Sequence, residues 1–389
     1  MVEAGVPSGA STGSREAVEL RDRDDRYDGL GVRNAVDHVN GPIAQALVGR
    51  RWSSLLEVDT AMRELDGTPD KSRLGANAIV GVSMVAARAF ALDAGEPLWR
   101  WLTPAGMAPR LPVPHFNVVN GGAHAPNPLD FQEFMIAPLG ARSLAEAVRA
   151  GAEVYAKLRS ELASRGFATG LGDEGGFAPD LSSPEEVLTL LRRAIDDAGY
   201  RAGVDGVAIA LDPAASEFYR DGRYHVSGES LSSQDMIDRF TAIVETFPVW
   251  SIEDGMAEDD TAGWVALTEA LGDRIQLVGD DNFVTNPDII AEAVANRIAN
   301  AALIKVNQVG SISETLGALQ VCRDAGYGAM ISHRSGETTD AFIADLAVGS
   351  GCGQLKSGAP ARGERVAKYN RLLQISKDNP DLPFGLPSS

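Results

Sequence analysis

Six short apolar runs in the second half of the chain each end on a charged or ionisable residue. They are VAIALD ending at Asp212, VWSIE at Glu253, IQLVGD at Asp280, AALIK at Lys305, GAMISHR at His333 and Arg334, and CGQLK at Lys356. Three carboxylates followed by three cationic groups, gathered on one rim, would make a metal site facing a basic, anion-binding wall. Asp212, Glu253 and Asp280 supply hard oxygen ligands, the kind Mg²⁺ takes while leaving other positions to water or substrate oxygens. Each of them alone reads equally well as a solvated strand end or a helix cap. Their recurrence at successive strand ends is what points to a metal, with Asp254 and Asp281 as partners that steady the ligands. Lys305 follows four apolar residues, a poor place for a purely structural lysine. Burial beside a second cation would lower its proton affinity and make it a base near neutral pH, and Lys356 is the neighbour expected to do this. Arg334 and Ser335 in SHRSGE suit a phosphate or carboxylate group; a helix cap would explain Ser335 but not Arg334.

Four upstream loops add candidates. GLGDEGGF sets Asp173 and Glu174 between glycines that let the backbone approach a ligand closely. In FQEFM, Gln132 and Glu133 read as mid-strand, so one of the two must face a buried interior. His124 lies in the Gly-rich NGGAHAPN, where a structural role is as good a reading as a functional one. PSGASTG, residues 7–13, lacks both the GK[ST] of a P-loop and the GxGxxG of a dinucleotide fold. It reads as a mobile lid, with a solvated surface loop as the plain alternative.

These residues need a scaffold that delivers them to one place. Successive charged ends lie 41, 27, 25, 28 and 23 residues apart, about one strand plus one covering helix per step. Continuous apolar runs are the mark of a parallel sheet covered on both faces. A (β/α)₈ barrel places its chemistry at the C-terminal ends of its strands. The fold class expected is therefore α/β: a TIM-like barrel over residues 111–375 beside a smaller domain over residues 1–110. Residues 30–103 read as helices broken by Gly, Pro and Asp/Asn, and the Pro-rich 104–114 as the boundary. The barrel should open with two strands and two helices, the second capped by Ser183 and Glu186, before regular alternation sets in. Residues 376–389 read as a flexible tail.

Composition narrows the partners. A net charge of −19 over 389 residues argues against nucleic acid or an anionic membrane surface. It leaves room for a small anionic substrate, since local cations override the global charge. Cys322 and Cys352 have no CxxC spacing and read as reduced core thiols. AIVGVSMVAARAFAL contains Arg88 and reads as too short to cross a bilayer. With no secretory signal pattern at its start, the chain is expected in the cytoplasm.

Taken in order, PSGASTGSREAVELRD, GANAI, NGGAHAPN, QEFMIAPLGA, GDEGGFAP, SIEDG, GDDNFVTNP, IKVNQVGS, ISHRSGET and QLKSGAPARGERVAKYN carry a resemblance that runs from about residue 6 to 375. The chain resembles the enolases, the phosphopyruvate hydratases of glycolysis. The resemblance implies an enolase-type barrel with a smaller N-terminal α+β domain, and dehydration of 2-phospho-D-glycerate to phosphoenolpyruvate. It implies two Mg²⁺ ions, one held by Asp212, Glu253 and Asp280, the second arriving with substrate and helped by Ser11. Lys305 would be the base, Glu174 the acid with Glu133 in support. His124, Gln132, His333, Arg334, Ser335 and Lys356 would hold the small phosphorylated acid. A homodimer or higher oligomer is implied, in the cytoplasm, though family members also occur at the cell surface. Two departures accompany the match. The Ser-Arg-Gly-Asn-Pro segment usual ahead of the lid loop does not precede Pro7, so this N-terminal domain reads as truncated, with a loosely anchored lid and weakened subunit contacts. Pro213 follows Asp212 where a small residue or Cys is usual, which would alter the local loop. Two alternatives stay open: an enolase-like enzyme of phosphonate metabolism, of the carboxyphosphonoenolpyruvate synthase type, and a non-catalytic paralogue acting as a binding protein.

Overall fold

The computed structural model describes residues 1–9 and 12–387. Its strands are β1 (Val113–Asn120), β2 (Glu133–Ala137), β3 (Ala208–Asp212), β4 (Tyr219–Arg220), β5 (Arg223–Val226), β6 (Glu229–Leu231), β7 (Val249–Glu253), β8 (Gln276–Gly279), β9 (Ala301–Ile304), β10 (Gly328–Ser332) and β11 (Gln354–Lys356). Eight of them close a barrel in the order β1-β11-β10-β9-β8-β7-β3-β2, while β4-β5-β6 form a separate small sheet. From β3 onward the barrel neighbours run parallel, each return made by a helix, as the spacing of charged ends predicts. Strand β2 is the exception. It pairs antiparallel with both β1 and β3. Residues 121–132 connect β1 to β2 without a crossover helix, so the chain can only turn back on itself. The reversal has a consequence for chemistry: the first residue of β2, Glu133, pairs with Asn120 and with Asp212, the last residues of its neighbours. Gln132 and Glu133 therefore stand at the start of a strand, not in its middle as the sequence suggested, and on the same rim as the other strand ends.

The two helices after β2 form for readable reasons. Helix Leu144–Ser164 begins at Ser143, whose side chain accepts the Glu146 amide, and its buried positions Leu144, Ala147, Gly151, Val154, Leu158 and Leu162 recur at three- and four-residue steps. Gly151 is required there: a Cβ would fall 2.3 Å from the Phe116 ring, so only glycine lets the helix lie flat on β1. Helix Pro184–Asp197 starts at Ser183, which accepts the Glu186 amide, with Pro184 in the first turn. The barrel core that results includes Phe116, Phe134, Ile136, Leu211, Ile252 and Leu277, all at most 1% exposed, and each such side chain contributes about 1.5–3 kcal/mol by leaving water.

Residues 1–110 carry helices at Arg33–His38, Ala44–Leu47, Leu55–Asp66 and Ala76–Asp93. Their own small core is built on Ile43, Val58, Met62, Leu74 and Ile79. Among the described residues this part is built of helices, with no strand of its own. Helix Ala76–Asp93 is longer than its apolar run suggested and by length and composition could cross a membrane; half of it is buried against the protein. It docks on the barrel through Ser83, which accepts the Ile312 amide at 2.9 Å. Lys71 and Glu314, 3.2 Å apart, bridge the same junction.

The extended N-terminal residues are fastened to the barrel, contrary to the loose anchoring the sequence suggested. Ser8 and Gly336 exchange two backbone hydrogen bonds of 2.8 Å. The Gly5 amide donates to Asp340, which also receives both terminal nitrogens of Arg88 at 2.6 and 2.7 Å. The tail is likewise held. A helix runs Gly363–Asp378, and beyond it Leu111 and Phe384 pair while Leu382 and Phe384 pack on the core. Cys322 and Cys352 are free thiols.

Candidate active site

A narrow cleft opens at the C-terminal rim of the barrel. Every residue lining it except Ser332 is one the sequence singled out: His124, Gln132, Glu133, Glu174, Asp212, Lys305, His333, Arg334, Ser335 and Lys356. Glu253 and Asp280 lie beneath, 1% and 5% exposed. Ser11, expected at a second metal, lies outside the described residues. The topology explains the gathering. Asp212, Glu253 and Lys356 are the last residues of β3, β7 and β11, and Asp280, Lys305 and His333 each follow directly on β8, β9 and β10. Antiparallel β2 adds Glu133 from its start, and the 171–175 turn delivers Glu174.

Lys356 sits at the centre of the acids. Its Nζ lies 2.8 Å from Glu253, 3.0 Å from Asp212 and 3.1 Å from Glu133, all of them buried. Burial opposes its charge, but the attraction of Asp212, Glu133 and Glu253 outweighs it and raises the ammonium well above the lysine range. Lys305 reaches Asp280, which also accepts from Gln308 at 2.8 Å. This overturns the expectation of a depressed Lys305. Burial does push it down, as do Arg334 and Lys356, but Asp280 in contact raises it further than they lower it. Two lysines do not balance the acids around them. Burial and repulsion from Asp212 drive Glu253 well above the carboxylate range. Burial and the Asp280 charge bring Asp281 to about 8.

The donor set fits a hard divalent cation. Glu253 keeps one oxygen, Oε2, buried with no hydrogen-bond donor among the described residues. Asp254, Asp280 and Asp281 bring ligand oxygens within 4.8 Å of one another. Of those three, Asp254 has both oxygens engaged by the amides of Asp280 and Asp281, at 2.8 and 2.9 Å, so it holds the turn while Asp280 faces the acids. An all-oxygen cluster with excess negative charge is what Mg²⁺ or a similar ion neutralises. Backbone strain marks the same place. Ala214, Asp254, Val284 and Thr285 all adopt positive φ within five residues of an acid-bearing strand end, and such strain collects where a site must be over-determined. After Pro213 the turn is kept by Asp212 itself, whose Oδ1 accepts the Ala214 amide at 3.0 Å.

A second compact group of ionisable side chains stands at the same rim. His124, Glu133 and Glu174 bring ligand atoms within 4.8 Å of one another. Burial and the Glu174 charge raise Glu133 well above the carboxylate range. Burial also acts on Glu174, but the nearby His333 and His124 rings and the Arg365 guanidinium outweigh it and hold the carboxyl well below that range. Burial keeps His333 neutral, down to about 3, so its contribution is a hydrogen and not a charge. Asn117 adds a hydrogen bond to Glu174 of 2.9 Å. The two carboxyls are thus pushed in opposite directions, the expected acid Glu174 down and its supporting partner Glu133 up.

The basic wall is Arg334 and Lys356. Arg334 is 4% exposed and engages Glu16 through both terminal nitrogens, at 2.9 and 3.2 Å. Gly9 passes so close that a Cβ there would fall 1.9 Å from Arg334 Nη2. The chain at Gly9 thus lies against Arg334, and farther along Arg15 donates to the Asn282 carbonyl at 2.6 Å. Sequence reasoning missed Glu16, Asn117, Gln308 and Arg365. For Arg365 a signal existed. Arg365, Lys368, Tyr369 and Leu372 share one helical face and all are buried, so two cations interrupt a stripe that should be apolar.

Comparison with known families agrees with this arrangement over nearly the whole length. Residues 108–381 match the family described as "Enolase, C-terminal TIM barrel domain". Residues 1–102 match "Enolase, N-terminal domain". With a closed eight-stranded barrel, its acids at the C-terminal rim and both domains matched, the chain belongs to the enolase family.

Proposed function

We propose that this protein is a Mg²⁺-dependent hydro-lyase that interconverts 2-phospho-D-glycerate and phosphoenolpyruvate. The observation that carries the reading is the juxtaposition, at one rim of the barrel, of the buried Lys305, the carboxylate cluster of Asp212, Glu253 and Asp280, and the neighbouring carboxyls Glu133 and Glu174. Asp212, Glu253 and Asp280 would hold the ion, which when bound offsets the negative charge that grows on the substrate carboxylate as the adjacent carbon loses its proton.

The chain's own groups account for the rest. Lys305 takes the carbon-bound proton. Burial and the charges of Arg334 and Lys356 favour its neutral amine, while Asp280 and, less strongly, Glu253 favour the ammonium; with those two acids engaged by the ion, the balance moves toward the free base. Arg334 and Ser335 orient the phosphate, His124 and Gln132 close the opposite side, and Lys356 faces the carboxylate. The Glu133–Glu174 pair supplies the proton that leaves with the hydroxyl as water, Glu174 facing the substrate and Glu133 replenishing it. Narrow walls and the lid over Arg334 keep bulk water from the reacting carbon.

The test is to incubate the purified protein with 2-phospho-D-glycerate and Mg²⁺ and follow the ultraviolet absorbance of the enol phosphate. A rise that stops with excess chelator is expected. Tight substrate binding without any absorbance change would refute the hydro-lyase reading.

A further inference from the structure

Arg365 is 1% exposed, and its guanidinium joins three parts of the rim. One terminal nitrogen, Nη1, donates to the Arg334 carbonyl and lies 2.7 Å from His333 Nδ1. The other, Nη2, donates to the Ser335 carbonyl and, at 3.1 Å, to the Asp173 carbonyl. The loops bearing His333 and Glu174 are thus pinned to each other through one side chain. A guanidinium carries donors and no acceptor. His333 Nδ1 must therefore accept, which leaves the single hydrogen of the neutral ring on Nε2. His333 Nε2 is buried, makes no hydrogen bond among the described residues, and has Glu174 Oε2 3.0 Å away as the acid it faces. An Nδ1–H ring would set two donors against each other on one side and two acceptors on the other. An imidazolium would still oppose two donors at Nδ1.

We propose that Arg365 is a positioning residue that fixes His333 as the Nε2–H tautomer, so that the one hydrogen of the ring sits on the nitrogen that faces Glu174. The tautomer follows from geometry alone; its use in catalysis rests on the hydro-lyase reading. In that use, the His333 hydrogen favours the Glu174 carboxylate until substrate binds; Glu133 then passes its proton to Glu174, which gives it to the departing hydroxyl. Burial, which disfavours charge on the ring, agrees with a neutral imidazole.

The experiment is ¹⁵N nuclear magnetic resonance of protein labelled at its five histidines, with His333 assigned by the signals lost in His333→Gln. The expected result is a pyrrole-type Nε2 and a pyridine-type Nδ1, unchanged from pH 8 to pH 5. A protonated Nδ1, or imidazolium shifts within that range, would overturn the proposal, whatever any variant does. Arg365→Ala should lose the single-tautomer signature and lower turnover, by up to about 10⁴-fold if the loss resembles that of other imidazoles deprived of a tautomer-fixing partner. Added guanidinium should restore both together. A folded Arg365→Ala protein with an unaltered Nε2–H signature would also refute the proposal. Because the spectrum needs no substrate, failure of this inference is distinct from failure to turn over 2-phospho-D-glycerate.

Discussion

Lys356→Met removes the ammonium from the middle of the acid cluster while keeping an unbranched stem of similar volume. In the unliganded protein that ammonium lies within 2.8–3.1 Å of three carboxylates, with side chains at most 4% exposed. Stripping the cation from a buried pair costs about 3–5 kcal/mol, because the remaining charges stay buried without a partner. At the 2–4 °C per kcal/mol usual for domains of 150–250 residues, this corresponds to a fall in Tm on the order of 10 °C. A divalent ion bound to Asp212, Glu253 and Asp280 should replace part of what the ammonium did. In the parent protein the ion must first compete with Lys356 for Asp212 and Glu253; in the variant it need not. Saturating Mg²⁺, about a hundredfold above its Kd, would stabilise by roughly 2.7 kcal/mol, and the gain should be larger for the variant. The assay is thermal unfolding of both proteins at pH 8, in excess chelator and in Mg²⁺. A wide gap in chelator that narrows in Mg²⁺ is expected. A gap of equal width in both would mean that the acids around Lys356 are not the ligands of the ion.

Asp280→Ala should abolish Mg²⁺-dependent turnover while circular dichroism stays that of the parent; full activity in excess chelator would remove the metal from the mechanism. Arg88→Met breaks the clasp on Asp340 and should cost about 1–2 kcal/mol at pH 7, a charge-assisted pair discounted for partial exposure. Its pH dependence has a defined sign. Burial opposes the Asp340 charge, but Arg88 and the Gly5 amide hold its folded-state value below the usual carboxylate range. The stabilisation is therefore present above about 3.9 and lost as pH falls through the lower folded value, so urea midpoints of variant and parent should converge in acid; a gap that persists there would show the clasp is not electrostatic. Glu16→Gln removes the counter-charge from Arg334 and should tighten inorganic phosphate binding, read by calorimetry, by about tenfold, or 1.4 kcal/mol. Weaker binding would make Glu16 the residue that holds Arg334 in place.

Much of this site could be read from the sequence, because a buried parallel strand is a continuous apolar run and the barrel puts chemistry where such runs end. Asp212, Glu253, Asp280, Lys305, His333 and Lys356 were legible for that reason alone. The helices after β2 were legible through Ser143, Ser183 and their apolar spacing. Reversal of β2 was not, since alternation of burial says nothing of strand direction, and Gln132 and Glu133 were misplaced with it. The short hairpin strands β4–β6, two to four residues each, are too brief to show a period. Protonation was the least legible. Lys305 is pushed up and not down, and Glu174 down, because each depends on residues distant in sequence: Asp280 for the first, His333 and Arg365 for the second.

The separate roles of Lys305 and the Glu133–Glu174 pair are tested most directly by isotope exchange. The parent protein, Lys305→Ala and Glu174→Gln are each incubated with 2-phospho-D-glycerate and Mg²⁺ in deuterated water, following both loss of the carbon-bound proton and formation of phosphoenolpyruvate. Lys305→Ala should lose both exchange and product. Glu174→Gln should lose product yet retain measurable exchange, since the base and the metal ligands are intact. Exchange that survives in Lys305→Ala and vanishes in Glu174→Gln would contradict the account and reverse the two roles.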